Sequence, residues 1–379
     1  PDWFKTVEHD LQGALSPKVK LTTSMGDLRV NDNLVIRNAT LHLPNKAGAS
    51  YTVTGVATVN VPGFPNVPVT GVLTNTSVSL HGVGPTWHAN TGAGAVALTA
   101  ATVSVTTDLA YPSGPAKSSA SIGATLNLNG VPVVASASLP IANVNDFALN
   151  LANATLADGL KLTGATLTVD TTAKTSTLAA KLAVYTGLKS AYATFSTTGA
   201  VTTSGDSTTY SLAGNGGDLP LAAFATELTA TSVSVTVSGK VTTAKGVPTG
   251  KINGGDISVG GATMSLDLPI PSPAAKQTVV HLSSASTTHM TVSDAASTIC
   301  STSCASLPST IVDTIKSMTL ENLEVAFTTS PLALTVSGTV DIAAGTVGVR
   351  VVSTKADDKW GYTVGVRVTD AFKFSDLVP

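Results

Sequence analysis

Alternation of apolar residues with small hydroxylated residues or glycine is the feature that most constrains this chain. Across residues 360–369, Trp360, Tyr362, Val364, Val366 and Val368 share one face of an extended strand. Gly361, Thr363, Gly365, Arg367 and Thr369 share the other. Residues 232–238 align Val233, Val235 and Val237 in the same way, and residues 52–59 and 125–129 repeat the pattern. A period of two cannot supply the 3.6-residue stripe of an amphipathic helix. It makes sheets with one apolar face and one wetted face, which is the habit of antiparallel rather than doubly covered parallel sheets. Asn-Gly, Gly-Gly, Gly-Asp and Pro-Gly pairs end these runs as turns.

The side-chain inventory agrees with the periodicity. Thr and Val are branched at Cβ and fit a pleated strand better than a helix. Charged residues are 12% of the 379, against a usual share of about 25%. Thr and Ser fill the gap, so the exposed face is hydrated without carrying charge. With 43% hydrophobic residues the chain can bury a core, and its length fits several units. This composition is that of secreted surface proteins, and the expected location is extracellular or at a cell surface.

Three short helices are expected among the strands. Asp2 caps a segment with Phe4, Val7, Leu11 and Leu15 at helical spacing. Asp218 caps a second, with Pro220 in its first turn and Leu221, Phe224 and Leu228 on one face. Ser309 caps a third, with Ile311, Ile315 and Met318. Each is too short to persist unless packed on a sheet.

These openings suggest a repeat. Leu-Pro pairs end at Pro140, Pro220 and Pro308, which are 80 and 88 residues apart, and each leads into strands that close on Gly164, Gly239 and Gly338. A second echo links Asn38 with Gly55 and Asn322 with Gly338. The expected organisation is a first β unit over residues 1–139, long enough for two degenerate units or an insertion. Further units are expected over 140–219, 220–307 and 308–379. The fold class is mainly β: tandem antiparallel units, sandwich-like or one continuous twisted sheet, with short helices at unit starts. The chain reads as a segment of a longer array. The Leu/Val-x-Leu/Val-x-Ser-Gly strands resemble those of bacterial surface arrays and of long β-groove lipid-binding proteins. Neither resemblance carries functional residues across.

Motifs for chemistry are missing from the sequence. No GxSxG elbow, HExxH pair, P-loop, GxGxxG or EF-hand loop occurs. The Gly-Gly-Asp triplets at 216–218 and 254–256 are isolated, unlike the tandem nonapeptides that bind calcium, and read as turns and helix caps. His81 and His88 flank Trp87, in a loop expected to pack its indole on the sheet edge. His281 and His289 are separated by a turn. Glu8, His9 and Asp10 point in different directions on a short helix and read as a solvated face. No catalytic, metal or cofactor site is expected, and no cofactor.

Cys300 and Cys304, with three residues between them, are expected to close a small disulfide, fitting an oxidising compartment. The redox CxxC spacing is absent, and no second Cys/His pair completes a zinc site. Asn38, Asn75 and Asn153 begin Asn-x-Ser/Thr sequons and are candidate glycan acceptors. The net charge of −2, from 21 basic and 23 acidic residues, offers no basic stripe for nucleic acid. Residues 47–104 lack Asp, Glu, Lys and Arg, yet Gly, Pro and Asn throughout rule out a transmembrane segment there. The expected partners are other copies or adjoining units of the same array.

Three functions follow as expectations. The first is a non-catalytic structural or adhesive β-repeat protein, part of a cell-surface or filamentous assembly. The second is a carrier of a hydrophobic ligand or lipid in a β-groove. The third is ice binding through Thr-x-Thr ladders such as Thr166–Thr168 and Thr52–Thr54, although these do not recur at one short fixed period.

Overall fold

A computed structural model describes residues 22–44, 50–74, 77–108, 118–186, 192–205, 207–220, 229–241, 249–259, 262–270, 279–284, 289–291, 319–329, 332–342, 345–356 and 359–368. Nearly all of them are strand, joined as one antiparallel meander. Alternation decides the faces: valine, isoleucine and leucine positions point inward, and most Thr, Ser and Gly positions point to solvent.

After β1 (Thr22–Asn31), the strands fall into groups of four. The first group is β2 (Leu34–His42), β3 (Tyr51–Val59), β4 (Val67–Leu73) and a broken fourth strand, β5 (Ser77–Val83) with β6 (Trp87–Asn90). A short 3-10 turn at Gly92–Gly94 leads to β7 (Val96–Asp108), β8 (Ser118–Leu128), β9 (Val131–Leu139) and the broken pair β10 (Asp146–Leu151) and β11 (Ala154–Ala157). The third group is β12 (Leu160–Asp170), β13 (Thr175–Tyr185), β14 (Tyr192–Ser204), then β15 (Ser207–Gly216) and β16 (Leu219–Pro220). The fourth is β17 (Thr229–Val241), β18 (Thr249–Val259), β19 (Ala262–Pro269), then β20 (Val279–Ser284) and β21 (Met290–Thr291). The last is β22 (Thr319–Thr329), β23 (Leu332–Ile342), β24 (Gly345–Ala356) and β25 (Lys359–Val368).

In the first four groups, both halves of the broken fourth strand pair with the first strand of the next group: β5 and β6 with β7, β10 and β11 with β12, β15 and β16 with β17, β20 and β21 with β22. The first strand of every group carries a left-handed residue four or five positions in: Asn38, Ala100, Gly164, Ser232 and Asn322. The separations are 62, 64, 68 and 90 residues (38 to 100, 100 to 164, 164 to 232, 232 to 322). At Asn38, Ala100, Gly164 and Asn322 the register shifts beside this residue, a β-bulge that bends the strand and sharpens its twist, whereas at Ser232 the pairing with β18 continues without a shift. The break in the neighbouring strand receives the bend. Asn153, between β10 and β11, accepts the Gly164 N–H at 2.9 Å. Asp27 of β1 accepts the Asn38 N–H at 3.1 Å, and Ser284 Oγ accepts the Leu323 N–H at 3.1 Å. Between β5 and β6, the Pro85 carbonyl accepts the Ala101 N–H at 3.1 Å. The left-handed position therefore recurs once per group, with a bulge in four of the five.

Glycine underlies the corner at two of these places. A Cβ on Gly55 in β3 would lie 2.6 Å from Ile36 Cγ2 and 3.1 Å from the Arg37 carbonyl oxygen, beside the Asn38 bulge. One on Gly338 in β23 would lie 2.8 Å from the Glu321 carbonyl oxygen, beside the Asn322 bulge. The Asn-to-Gly echoes in the sequence fall on this corner.

The corners let the sheet coil over its own apolar face, so that β7 and β8 lie against β14 and β15. One continuous core results, from Leu34 to Val351. Asn90 fixes the coil across groups: its Nδ2 donates to the Asp170 carbonyl at 3.1 Å and the Thr175 carbonyl at 3.0 Å. Ser176 Oγ donates to the Gly94 carbonyl at 2.8 Å alongside.

Some expectations change. Leu219 and Pro220, expected at the start of a helix, form a two-residue strand opposite Ala230 and Thr229. The other residues of the three expected helices, apart from the cap Asp218, lie outside the described residues. Gly254 is a mid-strand bulge in β18 rather than a turn, because the register shifts between Gly254 and Asp256. Pro140 follows β9 through a cis peptide bond, Pro220 ends β16, and Pro308 lies outside the described residues.

Candidate functional site

Each residue singled out in the sequence finds an ordinary structural setting where it is described. Trp87 is fully buried at the start of β6. Its Nε1 donates to the Pro62 carbonyl at 3.0 Å, its ring stacks on Phe147 at 5.6 Å, and Phe64 meets it edge-on at 5.0 Å. The neighbouring histidines do not converge on it. His81 Nδ1 lies 3.0 Å from Ser104 Oγ, and His88 is exposed. His289 Nδ1 lies 3.4 Å from Glu321 Oε1, while His281 is exposed in β20. Asn38 and Asn153 are exposed. Asn153 uses Oδ1 for its internal hydrogen bond, which leaves the amide nitrogen, the atom a glycan would modify, outside that bond. Asn75, Cys300, Cys304, His9 and the side chains of Trp360 and Tyr362 lie outside the described residues.

Among the described residues no three His, Cys, Asp or Glu side chains come together as a metal site, and no helix is long and apolar enough to cross a membrane. The ion pairs Arg29–Asp32, Arg37–Asp27 and Lys251–Asp267 are exposed. At such sites solvent screening leaves little energy. Among the described residues one titratable group is strongly perturbed. Burial pushes the Tyr210 hydroxyl from 10.0 up to about 12. Its oxygen has no hydrogen-bond partner among the described residues, and the ring occupies the space a Cβ on Gly239 would need, 2.5 Å away. This is a packed core tyrosine.

What the fold does present are faces and edges. The register aligns the outer residues Thr168, Thr177, Ala200, Ser211, Ser238 and Thr249 in a row across β12 to β18. A second row runs Thr166, Ala179, Thr198, Ala213 and Thr236 before reaching Lys251. These rows expose mainly hydroxyl and methyl groups, so the broad face is wetted with few fixed charges, among them Lys181, Lys251 and Asp267.

The two ends of the meander differ. Among the described strands, β1 pairs only with β2, and β25 only with β24. β1 carries three register shifts against β2 and holds Asp27 and Arg29 in exposed ion pairs. Bulges and charge are the devices that keep an edge from recruiting another strand. β25 carries Lys359 and Arg367 but no bulge: ten consecutive residues pair with β24 without a shift. Val366 lies opposite Val349, which is buried, yet is itself 66% exposed. In the earlier groups, inner residues of the fourth strand such as Leu149, Leu212 and Val280 are fully buried, under the first strand of the group that follows. β25 lacks that cover among the described residues.

Comparison with protein-family models finds no match, and neither curated proteins nor solved structures give one.

Proposed function

We propose that this chain is a non-catalytic structural or adhesive β-repeat protein, a segment or subunit of an extracellular cell-surface or filamentous assembly. The observation that carries the reading is the recurring corner at Asn38, Ala100, Gly164, Ser232 and Asn322. Four-strand groups joined in this way extend a single sheet in one dimension, each group contacting mainly its neighbours, as stacked repeats do. Length then grows by adding groups while the core of each stays the same. The uncharged Ser, Thr and Ala rows suit a surface that stays hydrated across changes in salt, since they have little charge to screen.

A hydrophobic-ligand carrier needs an open apolar trough. From Leu34 to Leu282 the inner residues are packed, so the observations favour a scaffold over a carrier within that span. The test is to locate the native protein. Protease shaving and surface biotinylation of intact source cells should reach it. A protein reached only after lysis would sink the reading.

A further inference from the structure

We infer that the β25 edge is a self-association surface, taking β25 of a second copy in antiparallel pairing about a two-fold axis. The inference deepens the structural reading above by naming the partner. Three observations carry it. The edge is long and regular, and its two charges, Lys359 and Arg367, stand near its ends and leave residues 360–366 uncharged. Its inner face is uncovered at Val366, although that position continues a buried row. Gly361 and Gly365 stand on its outer side with their nearest neighbours 3.9 Å from where a Cβ would lie, so another backbone can approach closely there.

Direction selects the partner. Counting each broken strand once, the antiparallel meander holds 21 strands from β1 to β25 (25 less β6, β11, β16 and β21). An odd number leaves β1 and β25 pointing the same way. Adding β1 of one copy to β25 of another, with apolar faces aligned, would therefore give a parallel pair, against the antiparallel order of every neighbour in this sheet. β1 is also blunted by bulges and charge. A two-fold axis perpendicular to the sheet instead sets β25 antiparallel to its own copy and aligns both apolar faces. With Val364 facing Val364, Arg367 falls opposite Gly361, where there is room, and no cation faces another. Shifting the centre to Thr363 would set Arg367 against Lys359, which like charges disfavour.

The test uses the full chain. Sedimentation velocity at rising concentration should show a reversible dimer. Val366→Glu, a change at a position already open to water, should abolish the dimer and leave the far-UV circular dichroism unchanged. In a Cys300→Ser, Cys304→Ser background, Val364→Cys should give a dimer under mild oxidation, mapped by mass spectrometry to a 364–364 disulfide. Val83→Cys, exposed on β5, should not. A chain that stays monomeric at all concentrations, a dimer that survives Val366→Glu, or a missing 364–364 link would each overturn the inference. A monomer on the cell surface would leave the structural reading standing, and a dimer confined to the cell interior would do the reverse.

Discussion

Trp87 offers the sharpest test of how the groups are held together. It sits beside the Ala100 corner, fully buried, between Phe64 and Phe147, with its indole N–H on the Pro62 carbonyl. Phe147 belongs to the second group and Trp87 to the first, so the stack ties neighbouring groups. Replacement by alanine removes an aromatic side chain of about 150–250 Å² from the core. At about 25 cal/mol per Å² that alone is about 4–6 kcal/mol. Measured truncations of buried Phe and Trp, at about 3–5 kcal/mol, fall in a similar range. The orphaned Pro62 carbonyl adds about 1 kcal/mol. Trp87→Phe keeps a ring and loses the N–H, so about 1–2 kcal/mol is expected. The assay is urea unfolding followed by far-UV circular dichroism, which does not depend on the indole removed. Acrylamide quenching should meanwhile show loss of the most protected tryptophan signal in Trp87→Ala. A cost below about 1.5 kcal/mol for the alanine variant, or equal costs for the two variants, would refute the claim that a buried, hydrogen-bonded stack joins the groups.

Three further outcomes follow from named contacts. The Tyr210 hydroxyl is raised to about 12 in the fold against 10.0 unfolded, so its contribution to stability is intact below pH 10 and is lost as pH rises from 10 to 12, by about 2–3 kcal/mol. Tyr210→Phe should flatten that alkaline loss in pH-dependent urea melts and cost almost nothing at pH 7, because the hydroxyl it removes has no partner among the described residues. Asn90→Ala should cost about 2–3 kcal/mol, since it strips partners from the buried carbonyls of Asp170 and Thr175; amide exchange should accelerate first in the 170–176 hairpin. Gly55→Ala should cost about 1–3 kcal/mol by driving a methyl into Ile36 at the Asn38 corner, whereas Gly361→Ala, with open space around it, should leave the melting midpoint within error.

The sequence by itself determined the class of fold and which residues face in. Val233, Val235 and Val237 alternate with Ser and Thr, and a pleat admits only one assignment of that pattern to faces. Alternation also placed Trp360, Tyr362, Val364, Val366 and Val368 on one side. It could not say that Val366 would be uncovered, because cover comes from a neighbouring strand and not from the strand itself. The corners were half legible. Asn38, Asn322 and Gly164 are residues that tolerate a left-handed backbone, and their echoes with downstream glycines could be read. Ala100 and Ser232 adopt the same conformation with no such preference. Their bends are imposed by tertiary fit, the broken strand beside them and the core beneath them. Leu219 and Pro220 teach the same lesson, since local capping signals favoured a helix and pairing with Thr229 and Ala230 prevailed. Local chemistry fixes what a strand can show to each side. Only the coiling of the whole sheet decides where it bends, what covers its apolar face, and which edge is left for a partner, because those depend on contacts between different strands, from Asn153 with Gly164 to Asn90 with Asp170 and Thr175.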